Sequence, residues 1–218
     1  MQINRLELAS ADPATQIGFW GGTLGLPVEG NEVRFRRTTL AFVPGEGEPR
    51  YHFALNVPGG RAADALAWLR ERVEVLPFES GEVVMRFDWI GAESLYFLDA
   101  GGNVVELMVR EEIREGEGEP FGADLLLEVS EIGIASDDAA ATSEALRRAL
   151  GAPVYWGGGK GLTAVGDVTG AVLVSPRGRG WIPTGLPAEP WPTTIVAGGE
   201  TPGRTEIPGG PYVVETVV

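Results

Sequence analysis

Ser94-Leu95-Tyr96-Phe97-Leu98-Asp99-Ala100-Gly101-Gly102-Asn103-Val104-Val105-Glu106-Leu107 is the stretch that decides the fold. Two apolar runs flank a turn rich in residues that tolerate positive φ (Asp99, Gly101, Gly102 and Asn103), which is how a tight β-hairpin is written. Upstream lies a further β-rich run, Glu82–Trp89. Before that, Ala62, Leu66, Leu69 and Val73 recur at helical spacing, so one face of a helix is apolar. Pro58-Gly59-Gly60 separates this helix from an opening strand, Tyr51–Val57. The whole segment therefore reads β-α-β-β-β.

The same order recurs on both sides. Ile3–Leu8 alternates as a strand, and Asp12-Pro13 supplies an N-cap and a proline at the first helical position. Ile17, Trp20 and Leu24 continue at helical spacing, Gly25 marks the stop, and strand-like runs follow at 32–37 and 39–43. A third copy opens at Glu131–Ala135. Asp138 is its N-cap, Thr142, Leu146 and Ala149 its helix face, Gly151 its stop, and 162–165 and 171–174 its strands. Beyond Pro176 the prolines are too frequent for a long helix. Strands are expected near 193–196 and 212–217, as in a fourth unit that has lost its helix. Residues 111–122 carry Glu111, Glu112, Glu115, Glu117 and Glu119 and read as an acidic, solvated linker. The expected division is 1–110 as paired modules, 111–122 as linker, and 123–218 as a third module with a degenerate fourth.

Composition narrows the chemistry. Of 218 residues, 17 are Lys or Arg and 31 are Asp or Glu, a net charge of −14 that opposes a nucleic-acid partner. No apolar run reaches the length of a membrane span and no secretory leader is visible, so a cytoplasmic protein is expected. There is no cysteine, hence no disulfide, thiolate site or cysteine nucleophile. His52 is the only histidine and Lys160 the only lysine. Gly157-Gly158-Gly159-Lys160-Gly161 looks like a phosphate loop but lacks the following Ser or Thr and a helix, so a hairpin turn is expected.

The hairpin, the strand Tyr51-His52-Phe53-Ala54-Leu55-Asn56-Val57 and the stretch Ile3–Gly25 together resemble the glyoxalase/bleomycin-resistance/extradiol-dioxygenase superfamily, the vicinal-oxygen-chelate proteins. The resemblance covers about residues 3–110, with weaker similarity over 128–176. It implies an α+β fold in which repeated βαβββ modules form a half-open curved β-barrel with helices outside. It also implies a divalent metal (iron, manganese, nickel or zinc) in the barrel, held by residues of the first and last strands of paired modules. His52 and Glu106 match two of these positions. In the first module Arg5 and Ala41 match the others and are no cation ligands. Glu131, seven residues before Asp138, matches the first-strand position of the third module and, with Glu215, is expected to face a second cavity.

Each residue also has a plainer reading. His52 can be a hydrogen-bonded structural residue, and Glu106 can pair with Arg5 across the barrel as a buried ion pair. Phe87 and Trp89 are expected to line the cavity beside Arg5. Arg86 and Arg110 are expected to pair with glutamates at the surface. Arg177, Arg179, Trp181 and Pro183 form a loop that either covers a pocket or docks as a structural tail. Two functions follow. One is a metal-dependent lyase, isomerase or ring-cleaving dioxygenase with Glu106 catalytic. The other is a metal-free protein that binds a small molecule in the barrel. A homodimer covering a free sheet edge is a third expectation.

Overall fold

Every module of the chain places its first and last strands side by side and parallel, with the remaining strands added outward. The computed structural model describes all residues except Glu117 and Lys160, so the lysine of the glycine-rich stretch lies outside the described residues. The first module is β1 (Ile3–Ser10), α1 (Pro13–Gly18), a π-helical turn at Phe19–Thr23, β2 (Val28–Glu29), β3 (Glu32–Arg34) and β4 (Thr39–Pro44). The second is β5 (His52–Pro58), α2 (Ala62–Arg70), β6 (Met85–Phe87), β7 (Ala92–Leu98) and β8 (Val104–Arg110). The third is β9 (Val129–Ser136), α3 (Ala139–Leu150), β10 (Val154–Gly157), β11 (Thr163–Asp167) and β12 (Gly170–Pro176). A two-stranded hairpin, β13 (Gly180–Trp181) and β14 (Leu186–Pro187), precedes the fourth: β15 (Thr193–Gly198), β16 (Gly203–Ile207) and β17 (Tyr212–Val217). In this last unit β15 and β17 are still parallel neighbours, but a short loop replaces the helix.

Local chemistry explains the helix ends. The Asp12 carboxylate accepts from the Thr15 amide at 3.0 Å, and Asp138 accepts from Ala141 at 3.0 Å, so both caps satisfy an otherwise orphaned donor. Gly151 ends α3 at φ 62°, a left-handed conformation that a side chain would oppose.

The modules pair in an order the sequence does not announce. One sheet runs β16-β17-β15-β1-β4-β3-β2, joining the fourth module to the first. The other runs β10-β11-β12-β9-β5-β8-β7-β6, joining the second to the third. The expected pairing of first and second modules within 1–110 is therefore corrected: β5 meets β9 antiparallel, and β1 meets β15 antiparallel. A repeat specifies its own strand order but not which first strand it adjoins. The 111–122 segment is also less free than its composition suggests. Ile113 O accepts from Gly59 N, Glu115 pairs with Arg36 and Arg37, and Phe121 packs edge-on to Trp68.

Strand alternation sorts the side chains. Phe53, Leu55, Val57, Val105, Leu107, Val109, Ile132 and Ile134 enter one core shared with Leu6, Leu8, Trp20, Leu40, Ile195 and Val214 of the other sheet. Their neighbours His52, Ala54, Glu106, Met108 and Glu131 take the opposite face, inside the curl of the eight-stranded sheet. That sheet closes far enough for Trp89, just past β6, to meet Trp156 of β10 at 5.1 Å between ring centres. Among the described residues, no helix is long and apolar enough to cross a membrane.

Candidate functional site

The curl encloses a cavity of about 250 Å³, lined by Phe87, Trp89, Tyr96, Met108, Trp156 and Trp181 around His52, Glu106 and Glu131. Three strands place the polar groups. His52 opens β5, Glu106 lies two residues into β8, and Glu131 lies two residues into β9, directly opposite Ala54. The β13–β14 hairpin supplies the roof. Its Trp181 is 4% exposed and lies over the imidazole, ring centres 4.9 Å apart. Gly133 makes room for it: a Cβ there would come within 2.6 Å of the indole Cη2.

The imidazole is held in a defined tautomer. Its Nδ1 is 3.2 Å from the Val104 carbonyl oxygen, which only accepts, so the proton is assigned to Nδ1. Nε2 is then a bare acceptor, 3.5 Å from Glu106 Oε2. Two acceptors face each other unless a proton or cation lies between them. Burial drives the His52 pKa down to about 4, partly opposed by the Val104 carbonyl and reinforced by the Arg179 charge.

The carboxylates share an environment short of solvent. Burial raises the Glu106 pKa, against the nearby Ser94 and Tyr96 hydroxyls and the Arg110 charge. Glu106 Oε1 has no hydrogen-bond partner among the described residues. Glu131 is raised to about 8, first by burial and then by the Glu106 charge, against Arg110. Both carboxyls are thus harder to ionise here than in water, and Arg110 offsets part of their charge.

Arg110 is fully buried. Its Nη2 donates to Glu131 Oε1 at 3.1 Å and its Nε to Asn56 Oδ1 at 2.9 Å. Asn56 in turn donates to Glu128 Oε1 at 2.6 Å, and Glu128 takes Arg37 as its ion partner. A chain of polar contacts therefore runs from the cavity to the loop before β4 in the other sheet.

The expected site residues divide accordingly. His52 and Glu106 come together, and Phe87 and Trp89 line the cavity. Arg5 does not: it lies on β1 in the seven-stranded sheet, bonded to Glu32 at 2.5 Å and within 3.5 Å of Glu7. It belongs to a sheet joined to the fourth module, so neither a ligand contact in this cavity nor a pair with Glu106 is open to it. Glu131 faces His52's own cavity rather than a second one, because β9 adjoins β5. Glu215 pairs with Arg204 in the other sheet. Arg86 takes surface glutamate and aspartate partners as expected. Arg110 does not: it is fully buried and takes Glu131 as its partner. The Arg179–Trp181 loop covers the cavity. Trp156 is a lining residue that nothing in the sequence singled out.

A metal is the test the fold invites. His52 Nε2 and Glu106 Oε2 are close enough to share one cation, and the orphaned Oε1 could add to it. No third ligand joins them: among the described residues no group of three or more His, Asp or Glu side chains is placed to hold an ion. Glu131 is tied to Arg110, whose permanent charge opposes a cation, and Leu173 lines the opposing wall from β12. This donor set does not fit a resident transition metal, which requires three or four protein ligands.

The titrations make opposite demands on stability. His52 binds its proton less readily folded than unfolded, so stability rises with pH between about 4 and 6.5. Glu131 binds its proton more readily folded, so stability falls as pH rises from 4.5 to about 8. The two oppose each other between 4.5 and 6.5. Urea midpoints are expected to be highest there, to fall toward pH 8, and to fall again below 4.5. Glu131→Gln should flatten the alkaline limb and His52→Gln the acid limb. A wild-type midpoint that does not move between pH 5.5 and 8.5 would contradict the assignment.

No family model matches the chain, and no curated protein matches it in sequence. Solved structures do match. A candidate dioxygenase from Bacillus subtilis superposes over 99% of this chain and 85% of its own, with TM-score 0.63 and 16% identity. Glyoxalase I from Zea mays covers 99% of this chain and 92% of its own, with TM-score 0.55 and 10% identity, and a point variant of it gives TM-score 0.56 at 11% identity, covering 99% and 93%. At such identities the likeness concerns backbone architecture. With its parallel first and last strands and its curled eight-stranded sheet, the chain has the glyoxalase/dioxygenase fold of the vicinal-oxygen-chelate superfamily.

Proposed function

We propose that the chain binds a small organic molecule in the cavity of the eight-stranded sheet, without a resident metal. The observation that carries this is an aromatic-rich cavity two of whose lining residues each hold a buried polar atom without a hydrogen-bond partner among the described residues: Glu106 Oε1, an acceptor, and Trp156 Nε1, a donor. A buried polar atom left unpaired costs about 1–3 kcal/mol, so a ligand that pairs both recovers that penalty on binding. The remaining wall is largely apolar, part aromatic and part aliphatic, and the volume suits a single-ring compound; a cavity of about 150 Å³ already takes up benzene.

The test is a titration of single-ring compounds followed by tryptophan emission, since Trp89, Trp156 and Trp181 all line the cavity. Leu173→Trp fills the space from the β12 wall and is expected to weaken binding more than tenfold. Binding unaffected by that substitution would place the ligand elsewhere. The metal-dependent reading rests on the His52 Nε2–Glu106 Oε2 approach. It predicts about one divalent ion per chain in tag-free protein, lost in His52→Ala and Glu106→Ala. That result would replace the metal-free reading.

A further inference from the structure

Charge at the mouth of the cavity narrows the ligand class. Acidic residues outnumber basic ones in this chain, and arginines rarely go without a partner. Among the described residues, every arginine except Arg70, Arg114 and Arg179 lies within 4.0 Å of a carboxylate. Of these three only Arg179 lines the cavity. Among the described residues, its guanidinium makes one hydrogen bond, a long 3.4 Å contact with the Gly180 carbonyl. Its guanidinium stands 6.0 Å from the Trp181 ring centre, which fixes it beside the roof of the cavity.

On the floor, Arg110 already takes Glu131 as its partner at 3.1 Å, whereas at the mouth Arg179 has no carboxylate within 4.0 Å among the described residues. An unpaired guanidinium beside an apolar pocket favours an anion. Trp156, which lines the same cavity, has an indole Nε1 that is buried without an acceptor among the described residues, and an acid supplies acceptors where a cation supplies none.

Resting on the small-molecule reading above, we infer that the ligand is a single-ring organic acid, its ring among the indoles and its carboxylate at Arg179. The glutamates in the cavity argue for the opposite charge, an aromatic ammonium, and the experiment decides between them.

Phenylacetate, phenylacetamide and 2-phenylethylammonium present one ring with a negative, neutral and positive end. Their affinities are to be measured by tryptophan emission and by calorimetry at pH 7 and low salt. The acid is expected to bind about tenfold more tightly than the amide, with the ammonium weakest. Arg179→Gln should bring the acid down to the affinity of the amide. Equal binding of acid and amide, or tightest binding of the ammonium, overturns the inference and leaves the cavity reading intact. Failure of all three to bind, with Leu173→Trp equally silent, overturns both.

Discussion

Replacing Arg110 by methionine is expected to cost about 3–5 kcal/mol of folding stability, a large part of what a single domain possesses. The side chain is wholly buried, so its loss is not a surface event. Methionine fills most of the space, and the transfer of its atoms is favourable. What remains is the deficit: Glu131 loses its one ion partner among the described residues, and Asn56 Oδ1 loses its donor. Both are buried, at 2% and 0% exposure, so water cannot replace what is removed. Glu131 can escape part of the penalty by binding a proton. The cost should therefore be smaller at pH 5 than at pH 8, a signature that simple loss of packing would not give. In the double variant Arg110→Met with Glu131→Leu, no carboxylate is stranded and most of the loss should be recovered. Urea unfolding at the two pH values measures all of this. A single-variant cost below about 1 kcal/mol would mean that the pair contributes little beyond volume.

How far the site could be read in advance depends on which contacts are local. The hairpin Ser94–Leu107 was legible because its turn chemistry is local: Asp99 Oδ1 accepts from the Gly101 and Asn103 amides at 3.0 Å. The caps at Asp12 and Asp138 were legible for the same reason. His52 and Glu106 follow from alternation along β5 and β8, which are parallel neighbours within one module. What could not be read is the partner of each module. Pairing of consecutive repeats would put Arg5 in the cavity and Glu131 in another. Once β9 lies against β5, Glu131 joins His52, and Arg5 is left among Glu32 and Glu7 on the other sheet. Arg110 illustrates the limit further. Its partners Asn56 and Glu131 stand 54 and 21 residues away, so no window of sequence contains the reason for its burial. β16 was not foreseen either: Gly203–Ile207 is an exposed edge strand apart from its last residue, and lacks the apolar alternation that would mark it.

Trp181→Ala is expected to have the second large effect, and its readout is specific to the site. The indole is almost fully enclosed, and truncating a buried tryptophan costs about 3–5 kcal/mol where the surroundings cannot collapse. A hairpin fastened by Gly178 N to Ala188 O and by Ala188 N to Arg179 O keeps its backbone in place, so collapse is limited. Removing the indole uncovers the imidazole beneath it. Since burial is the main cause of the depressed His52 pKa, its titration should move from about 4 back toward 6.5. The chain has a single histidine, so its ring protons give one unambiguous NMR titration curve. Gly133→Ala approaches the same end from below: its Cβ displaces the indole without deleting it, and should produce a smaller shift in the same direction. If both variants leave the histidine titrating near 4, the roof is not what dehydrates it, and enclosure by the hairpin would have no part in setting the chemistry of the cavity.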